Sequence, residues 1–549
     1  MRLTEHTRYA DAKIHFSRSA LWELVDGSRE RLNIAHECVD RHPPERTAVR
    51  IAFADGRDEA YTFGEIAAWS SRFAHFLGRE GVGAGERVAI FLEPSLPFYV
   101  ALFGAMKAGA VAVPMFTLLG SDAIAARIDD CRPSLALAGA PLGRVRTVVA
   151  DDGFLAALAR EPGEFEAATA ASDMAMYQYT SGTTRALPEA VRHRHRAIVT
   201  VLIAGLYATG VRPGDRFCCP SSPAWGHGLW HGTLGPLALG AEITAWSGRF
   251  DPVRMLAVLE DYRITNLSAA ATHYRMMKNC GTAGDHRFGI EKLSFTGEPI
   301  DSDTAQFAER TFGRAVRSMY GTTEVGVILG GYPGAADLPM RPGSLGKPMP
   351  GVEVAIREAS GRIAATDAAG EIVVRRGDGW FPTKDLGRVD EDGFFYHGGR
   401  ADDVIISAGW TMSAVEIEDA LLRHPDVSEV AVIGVPDELR GQVAKAFVVS
   451  DRRPGGDSLE AEIQAFARAR LGQHEYPRRI EFVGELPKTP AGKVNRKALR
   501  EREVTVADGE RLRTSRGAGE PARGGRNASR PDAGPAAREG TRQTEGRPE

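Results

Sequence analysis

The chain has 549 residues, with 68 Lys and Arg against 72 Asp and Glu, a formal net charge of −4. Its length implies more than one domain, and an apolar content of 43% is enough for a sizeable core. That charge balance excludes a protein that holds nucleic acid through bulk positive charge. Five cysteines, Cys38, Cys131, Cys218, Cys219 and Cys280, form no CxxC pair. They read as buried or free thiols of a reducing compartment, with neither disulfides nor a structural zinc expected. The N-terminus has no apolar run of the signal-peptide kind, and a soluble, cytoplasmic chain is expected.

Residues 30–330 alternate helical stretches with short β-branched runs. The runs at 87–92, 110–115, 263–268 and 292–295 predict buried strands, hence layered α/β structure with a largely parallel sheet. The most apolar stretch, 98–120, is divided by Lys107, Gly109 and Pro114. It predicts a helix over 98–107 and a strand over 110–115, not a membrane span. Between 340 and 400, short alternating strands and Gly/Asp turns predict an antiparallel sheet or small β-barrel-like subdomain. From 401 to 500 a compact pattern follows, with helices at 413–423 and 458–471 and strands at 427–434 and 444–450. It predicts a small α+β domain after a large one spanning 1–400. Residues 501–549 contain no aromatic side chain and few aliphatic ones, so a disordered tail is expected.

Two motifs mislead. Gly81-Val-Gly-Ala-Gly85 precedes a strand, the wrong context for a dinucleotide loop. His227 and His231 have the i, i+4 spacing of a zinc helix but lack the adjacent Glu base and are interrupted by glycine, so packing or pocket lining is expected instead. More informative is Tyr179-Thr-Ser-Gly-Thr-Thr-Arg-Ala-Leu-Pro-Glu-Ala-Val191, rich in small hydroxyl residues, which reads as a loop between a strand and a helix. Such a loop either cradles phosphate or is an ordinary Ser/Thr-rich turn.

Further along come Thr296-Gly-Glu-Pro, Tyr320-Gly-Thr-Thr-Glu324, Thr383-Lys-Asp385, Gly399-Arg-Ala-Asp-Asp403, Ser407-Ala-Gly409 and Pro487-Lys-Thr-Pro-Ala-Gly-Lys493. In this order the motifs resemble the adenylate-forming superfamily of AMP-forming acyl-CoA synthetases, over roughly residues 30–500. Asn33–His42 and His424–Gly434 are most similar to its acetyl- and medium-chain branch. The resemblance implies that a carboxylic acid attacks the α-phosphate of ATP to give acyl-AMP and pyrophosphate, and that the thiol of CoA then displaces AMP.

It also implies roles. Thr180, Ser181, Gly182, Thr183 and Thr184 would belong to the phosphate loop. Gly297, Glu298 and Pro299 would line the adenine slot, with Tyr320, Gly321 and Thr322 beside it and the Tyr320 ring stacked on the base. Thr323 would touch the α-phosphate and Glu324 would help hold Mg²⁺. Asp385 would accept hydrogen bonds from the ribose, assisted by Arg400. Lys493 would bridge the substrate carboxylate and the α-phosphate. The small domain would be mobile, swinging about Asp402 to withdraw Lys493 and bring Gly409 to the CoA arm. Trp225, Gly226, Thr272 and His273 would line the acyl pocket, which Gly226, Gly228 and Gly232 would open to a bulky alicyclic or aryl acid.

The phosphate loop departs from the family pattern. Arg185 stands where glycine is usual, an extra residue precedes Pro188, and Glu189 replaces a lysine. A unit charge at about 5 Å in an effective dielectric near 20 interacts by roughly 3 kcal/mol. Each ~1.4 kcal/mol is tenfold in rate, so ATP handling is expected to suffer. Acyl-AMP carries only the α-phosphate, so thioester formation should be spared. The first expectation is therefore a ligase impaired in adenylation, taking acyl-AMP from a partner adenylating enzyme. The alternatives are a complete ATP-dependent synthetase, a silent acyl-AMP- or CoA-binding protein, and transfer to a carrier's phosphopantetheine arm. The basic run Arg192–Arg196 either points inward and compensates or forms an exposed helix start. Lys384, where many relatives have glycine, is a milder departure.

Overall fold

A computed structural model describes residues 2–119, 121–179, 190–322, 325–400, 404–407, 410–437, 441–450, 457–471, 476–489 and 492–503. Residues 1–500 form one compact unit and 501–549 a second, of which only 501–503 are described; the expected tail otherwise lies outside the described residues.

The largest sheet has thirteen strands and two characters. Its centre is parallel, with Thr47–Phe53, Glu242–Ser247, Arg216–Cys219, Asn266–Ala270, Lys292–Thr296 and Arg317–Thr322 side by side. Asn266–Ala270 is buried on both faces, which is why it reads as an uninterrupted run of small and apolar residues. Beyond Arg317–Thr322 every pairing is antiparallel, through Gly326–Gly330, Ser344–Pro348, Phe395–Arg400, Gly379–Val389, Gly370–Arg376 and Val354–Arg357. The predicted antiparallel region thus continues the parallel sheet edge to edge. The change of direction falls at the Tyr320 motif.

A second sheet has six strands, five of them parallel and led by Arg87–Phe91 and Val111–Pro114. Against it lies the helix Leu96–Lys107, capped by Ser95 and buried along nearly its whole length. Its apolar run is explained by a site in the core, and among the described residues no helix is long and apolar enough to cross a membrane. At one edge of this sheet Met174–Tyr179 pairs antiparallel with Ala190–Arg194. Two expectations are corrected here. The hydroxyl-rich segment joins two strands and does not open a helix, and the basic run is mainly strand. Alternation turns Arg192 and Arg194 to solvent, with Arg192 over the Tyr177 ring, and turns His193 and His195 inward. Arg192 shares its face with Tyr177, opposite to Gln178, so the arginine does not compensate from the site side.

The small domain is a five-stranded sheet of Trp410–Ser413, Val404–Ser407, Gly441–Val449, Glu429–Asp437 and Arg479–Phe482. The helices Ala414–Leu422 and Asp457–Arg468 bury Ile417, Leu421, Leu459 and Ile463 against one face of it.

Candidate active site

The site begins as a floor at the C-terminal ends of the parallel strands, where open α/β sheets present their ligand crevices. His227, only 3% exposed, receives or gives a hydrogen bond at each ring nitrogen: Nδ1 to Ser221 Oγ and Nε2 to Ser268 Oγ, both at 2.9 Å. Ser294 Oγ donates to Ser268 Oγ at 2.8 Å, extending the chain from just past Arg216–Cys219 across the middles of Asn266–Ala270 and Lys292–Thr296. Burial first, with the Lys493 charge nearby, holds His227 far below the usual imidazole range, so it is neutral. His227–Leu234 is a π-helix, whose wider turn alters the geometry that i, i+4 spacing predicts in an α-helix. His231 Nδ1 instead has no hydrogen-bond partner among the described residues, and burial pushes the ring down to about 4.

Trp225 stands at the start of this π-helix, its ring 5.3 Å from that of His227. Gly297 has φ of +99° and lies directly beneath the indole: an added Cβ would sit 3.1 Å from the Trp225 ring and 3.6 Å from Lys493 Cε. This close approach is what requires glycine there. Gly226, Gly228 and Gly232 do not leave open space, which corrects the expectation of a pocket widened by glycines. A Cβ at Gly226 would be 2.9 Å from Gln178 Nε2, one at Gly232 would be 2.8 Å from Cys219 Sγ, and one at Gly228 would collide with the Ser221 and Ser222 carbonyls. Thr272 Oγ1 donates to Glu298 at 2.8 Å, and Arg275 reaches both Glu298 and Asp301. His273 packs on Phe250 with ring centroids 4.4 Å apart, has no partner for Nδ1 among the described residues and is pushed by burial to about 4.

Lys493 comes from the small domain, its Nζ 5.4 Å from the centre of the Trp225 ring. Its loop is tightly tied, with Thr489 N donating to Lys493 O at 2.7 Å and Lys493 N to Thr489 Oγ1 at 3.2 Å. Just beyond it, Arg496 forms a two-pronged pair with Glu418 at 2.6 and 2.7 Å. A second grip spans to the large domain. Ser302, the first residue of the helix Ser302–Phe312, donates its backbone N–H to Asp419 Oδ1 at 3.2 Å, and Arg423 bridges Asp419 and the Ser302 hydroxyl. Asp419 thus satisfies an N–H left over at a helix start, where negative charge is favoured.

On the antiparallel side, Tyr320 donates its hydroxyl to Asp385 Oδ2 at 2.7 Å. Asp385 is register partner to Arg400 across the ladder. Gly321 lies so close to the Gly326 backbone that a side chain would collide. Lys384 has φ of +65°, the left-handed region that favours glycine. Of the other expected site residues, Thr180–Thr184, Arg185, Glu189, Thr323, Glu324, Asp402 and Gly409 lie outside the described residues. Sequence reading missed Gln178, whose role rests on a distant indole, and Asp419, which nothing local distinguishes from a solvated acid.

This arrangement sets a lysine from the small domain beside Trp225, over a floor at the C-terminal side of parallel strands. The chain belongs to the AMP-binding enzyme family: that family's model matches residues 36–382, and the model of the AMP-binding enzyme C-terminal domain matches 416–493. It is 30% identical to acetyl-coenzyme A synthetase of Bacillus subtilis (strain 168), over 87% of this chain and 92% of that one. It is also 30% identical to 3-hydroxybenzoate–CoA ligase of Aromatoleum sp. (strain CIB), over 86% and 97%. Among solved structures, the anthranilate CoA ligase AuaEII in complex with anthranoyl-AMP is similar with a TM-score of 0.80 and 25% identity, covering 90% of this chain and all of that one.

Proposed function

We propose that this chain is an acyl-CoA ligase that joins a carboxylic acid to CoA through acyl-AMP, with adenylation the weaker half-reaction. The carrying observation is Lys493 at the Trp225 ring. A cation at that point meets the substrate carboxylate and the α-phosphate as negative charge builds in the adenylation transition state. Displacement of AMP by a thiol has no use for it, so its position favours a chain that makes its own acyl-AMP over one that depends on a partner adenylating enzyme. It equally weighs against a silent binding protein. The family membership and the relatives' acyl-CoA chemistry support the same reading.

Asp385, with Arg400 beside it in the ladder, is proposed to hold the ribose; the adenine would enter between Gly297–Pro299 and Tyr320. Mg²⁺ would arrive with ATP as part of the substrate. Thioester formation would follow a swing of the small domain, residues 401–500, about Asp402. Arg185 and Glu189 are the reason for assigning the weaker step to adenylation: they remove a glycine and a positive charge from the segment that would face the β- and γ-phosphates. A cytoplasmic setting and free CoA as acceptor complete the proposal.

The test is a pair of half-reactions over a panel of acids. One follows pyrophosphate release from ATP, Mg²⁺ and acid; the other follows acyl-CoA from synthetic acyl-AMP and CoA, with no carrier protein present. Activity in both, slower in the first, is expected, and Glu189→Lys with Arg185→Gly should speed the first alone. Absence of acyl-CoA in the second arm for every acyl group would overturn the assignment.

A further inference from the structure

The proposed acyl wall contains a nearly buried side chain that is bonded to protein at one end only. Gln178, on Met174–Tyr179, is 4% exposed. Its carboxamide oxygen accepts the Trp230 indole N–H at 3.0 Å, and Trp230 is itself held edge-on by the His193 ring 4.8 Å away. That bond fixes which way the amide faces. Its nitrogen therefore turns toward Gly226, where an added Cβ would be 2.9 Å from Nε2 but 3.8 Å from Oε1. Among the described residues Nε2 has no hydrogen-bond partner. Gly226 follows Trp225, on which Lys493 closes, so the amide N–H₂ lies on the wall that continues from the reacting carboxylate. Two further polar atoms near the floor, Nδ1 of His231 and of His273, likewise have no hydrogen-bond partner among the described residues. Burial keeps both neutral, able to exchange hydrogen bonds without demanding a countercharge.

A buried donor left unpaired costs about 1–3 kcal/mol. A plain hydrocarbon acyl group entering this space would expel water and strand the Gln178 amide, whereas an acyl group carrying an acceptor oxygen would satisfy it. We infer that the substrate is a carboxylic acid bearing a hydroxyl or oxo substituent, and that Gln178 is the residue that selects it through its side-chain N–H₂. This deepens the ligase reading and rests on it. Gly226 is required by the same arrangement, because any side chain there would push the amide from its place.

The experiment compares acids that differ only in the added oxygen: butanoate with 4-hydroxybutanoate and 4-oxobutanoate, and benzoate with 2-, 3- and 4-hydroxybenzoate. Each is supplied with ATP and CoA and, separately, as its synthetic acyl-AMP with CoA. The full-length protein is expected to favour at least one oxygenated member over its bare partner by tenfold or more in kcat/KM. Gln178→Leu, close in volume and unable to donate, should bring that ratio near one, with a cooperative thermal transition showing that the variant is folded. Gln178→Glu, an acceptor in place of the donor, should lower the oxygenated acid further. Equal treatment of every pair by the unaltered protein, or a preference that survives in Gln178→Leu, would overturn the inference while leaving the ligase reading standing. Failure of every acid and every acyl-AMP to give acyl-CoA would instead fail the ligase reading, and this inference with it.

Discussion

The floor beneath Trp225 and the grip that brings Lys493 to it are built by opposite means. The floor is buried and its central imidazole is satisfied at both nitrogens by serines, one within a parallel strand and one just past its neighbour. The grip is made of charged groups at least partly open to water: Asp419 and Arg423 have side chains 33% and 47% exposed. Exposed ion pairs contribute about 0–1 kcal/mol each and weaken with salt. A buried floor and a roof held by weak contacts fit the swing of the small domain proposed above. The difference gives each part its own sensitivity, the floor to pH and the grip to salt.

The largest effect should come from removing what the grip delivers. Lys493→Ala is expected to slow adenylation by about 10²–10³, the range for loss of one preorganised group at a charge-developing centre. The acyl-AMP to acyl-CoA step should change less than about threefold. Measured side by side, the two rates test whether the lysine serves one half-reaction; equal losses would remove the distinction between floor and roof.

Acid should act on the floor and on the six-stranded sheet behind it. Burial pushes His193, His195, His231 and His273 to about 4, from an ordinary value of 6.5. In the unfolded chain each would take up a proton as pH falls through 6.5, whereas in the folded chain it would do so only near 4. Stability should therefore be complete above about pH 7 and fall between 6.5 and 4, by up to roughly 3 kcal/mol per fully shifted imidazole. A thermal midpoint that stays level from pH 7 to pH 5 would contradict this. His195→Gln should shift the acid limb toward lower pH.

Salt should act on the grip. Asp419→Ala removes the carboxylate that caps Ser302–Phe312 across the domains, so adenylation is expected to fall about three- to tenfold. Thioester formation from acyl-AMP should hold steady or rise, because the small domain departs more easily. Adding salt should reproduce part of that loss in the unaltered protein and little of it in the variant. A parallel fall of both half-reactions would mean that Asp419 only supports the fold.

In the parallel centre of the large sheet, Lys292–Thr296 and part of Asn266–Ala270 were legible as short runs near helices, whereas Thr47–Phe53, Arg216–Cys219, Glu242–Ser247 and Arg317–Thr322 were not; Lys493 was legible because its loop closes an ordered series of motifs. The basic run was not. Arg192 and Arg194 alternate with His193 and His195, and an inward histidine counts as polar until its burial is seen. The glycines around Trp225 misled for a related reason: absence of a side chain in a sequence says nothing about whether another atom fills the gap. Gln178 and Asp419 were illegible because their partners lie 52 and 117 positions away. Only the fold makes an amide point or gives a carboxylate a helix to cap.

The smallest effect distinguishes strain from chemistry on the antiparallel side of the site. Lys384 is exposed, sits next to Asp385 and holds φ of +65°. For a residue with a Cβ the left-handed conformation costs about 1–2 kcal/mol. Glycine relieves that cost but brings a more flexible unfolded chain, worth about 0.5–1 kcal/mol against it. Lys384→Gly should thus stabilise by ~0.5–1 kcal/mol, seen as a small rise in thermal midpoint, with both half-reactions within about twofold of the unaltered protein. Lys384→Val, β-branched and intolerant of positive φ, should destabilise by more than glycine stabilises. If glycine instead lowers nucleotide affinity several-fold while the midpoint rises, the lysine side chain is itself engaging ATP, and the strain at this position is retained for a contact with the nucleotide.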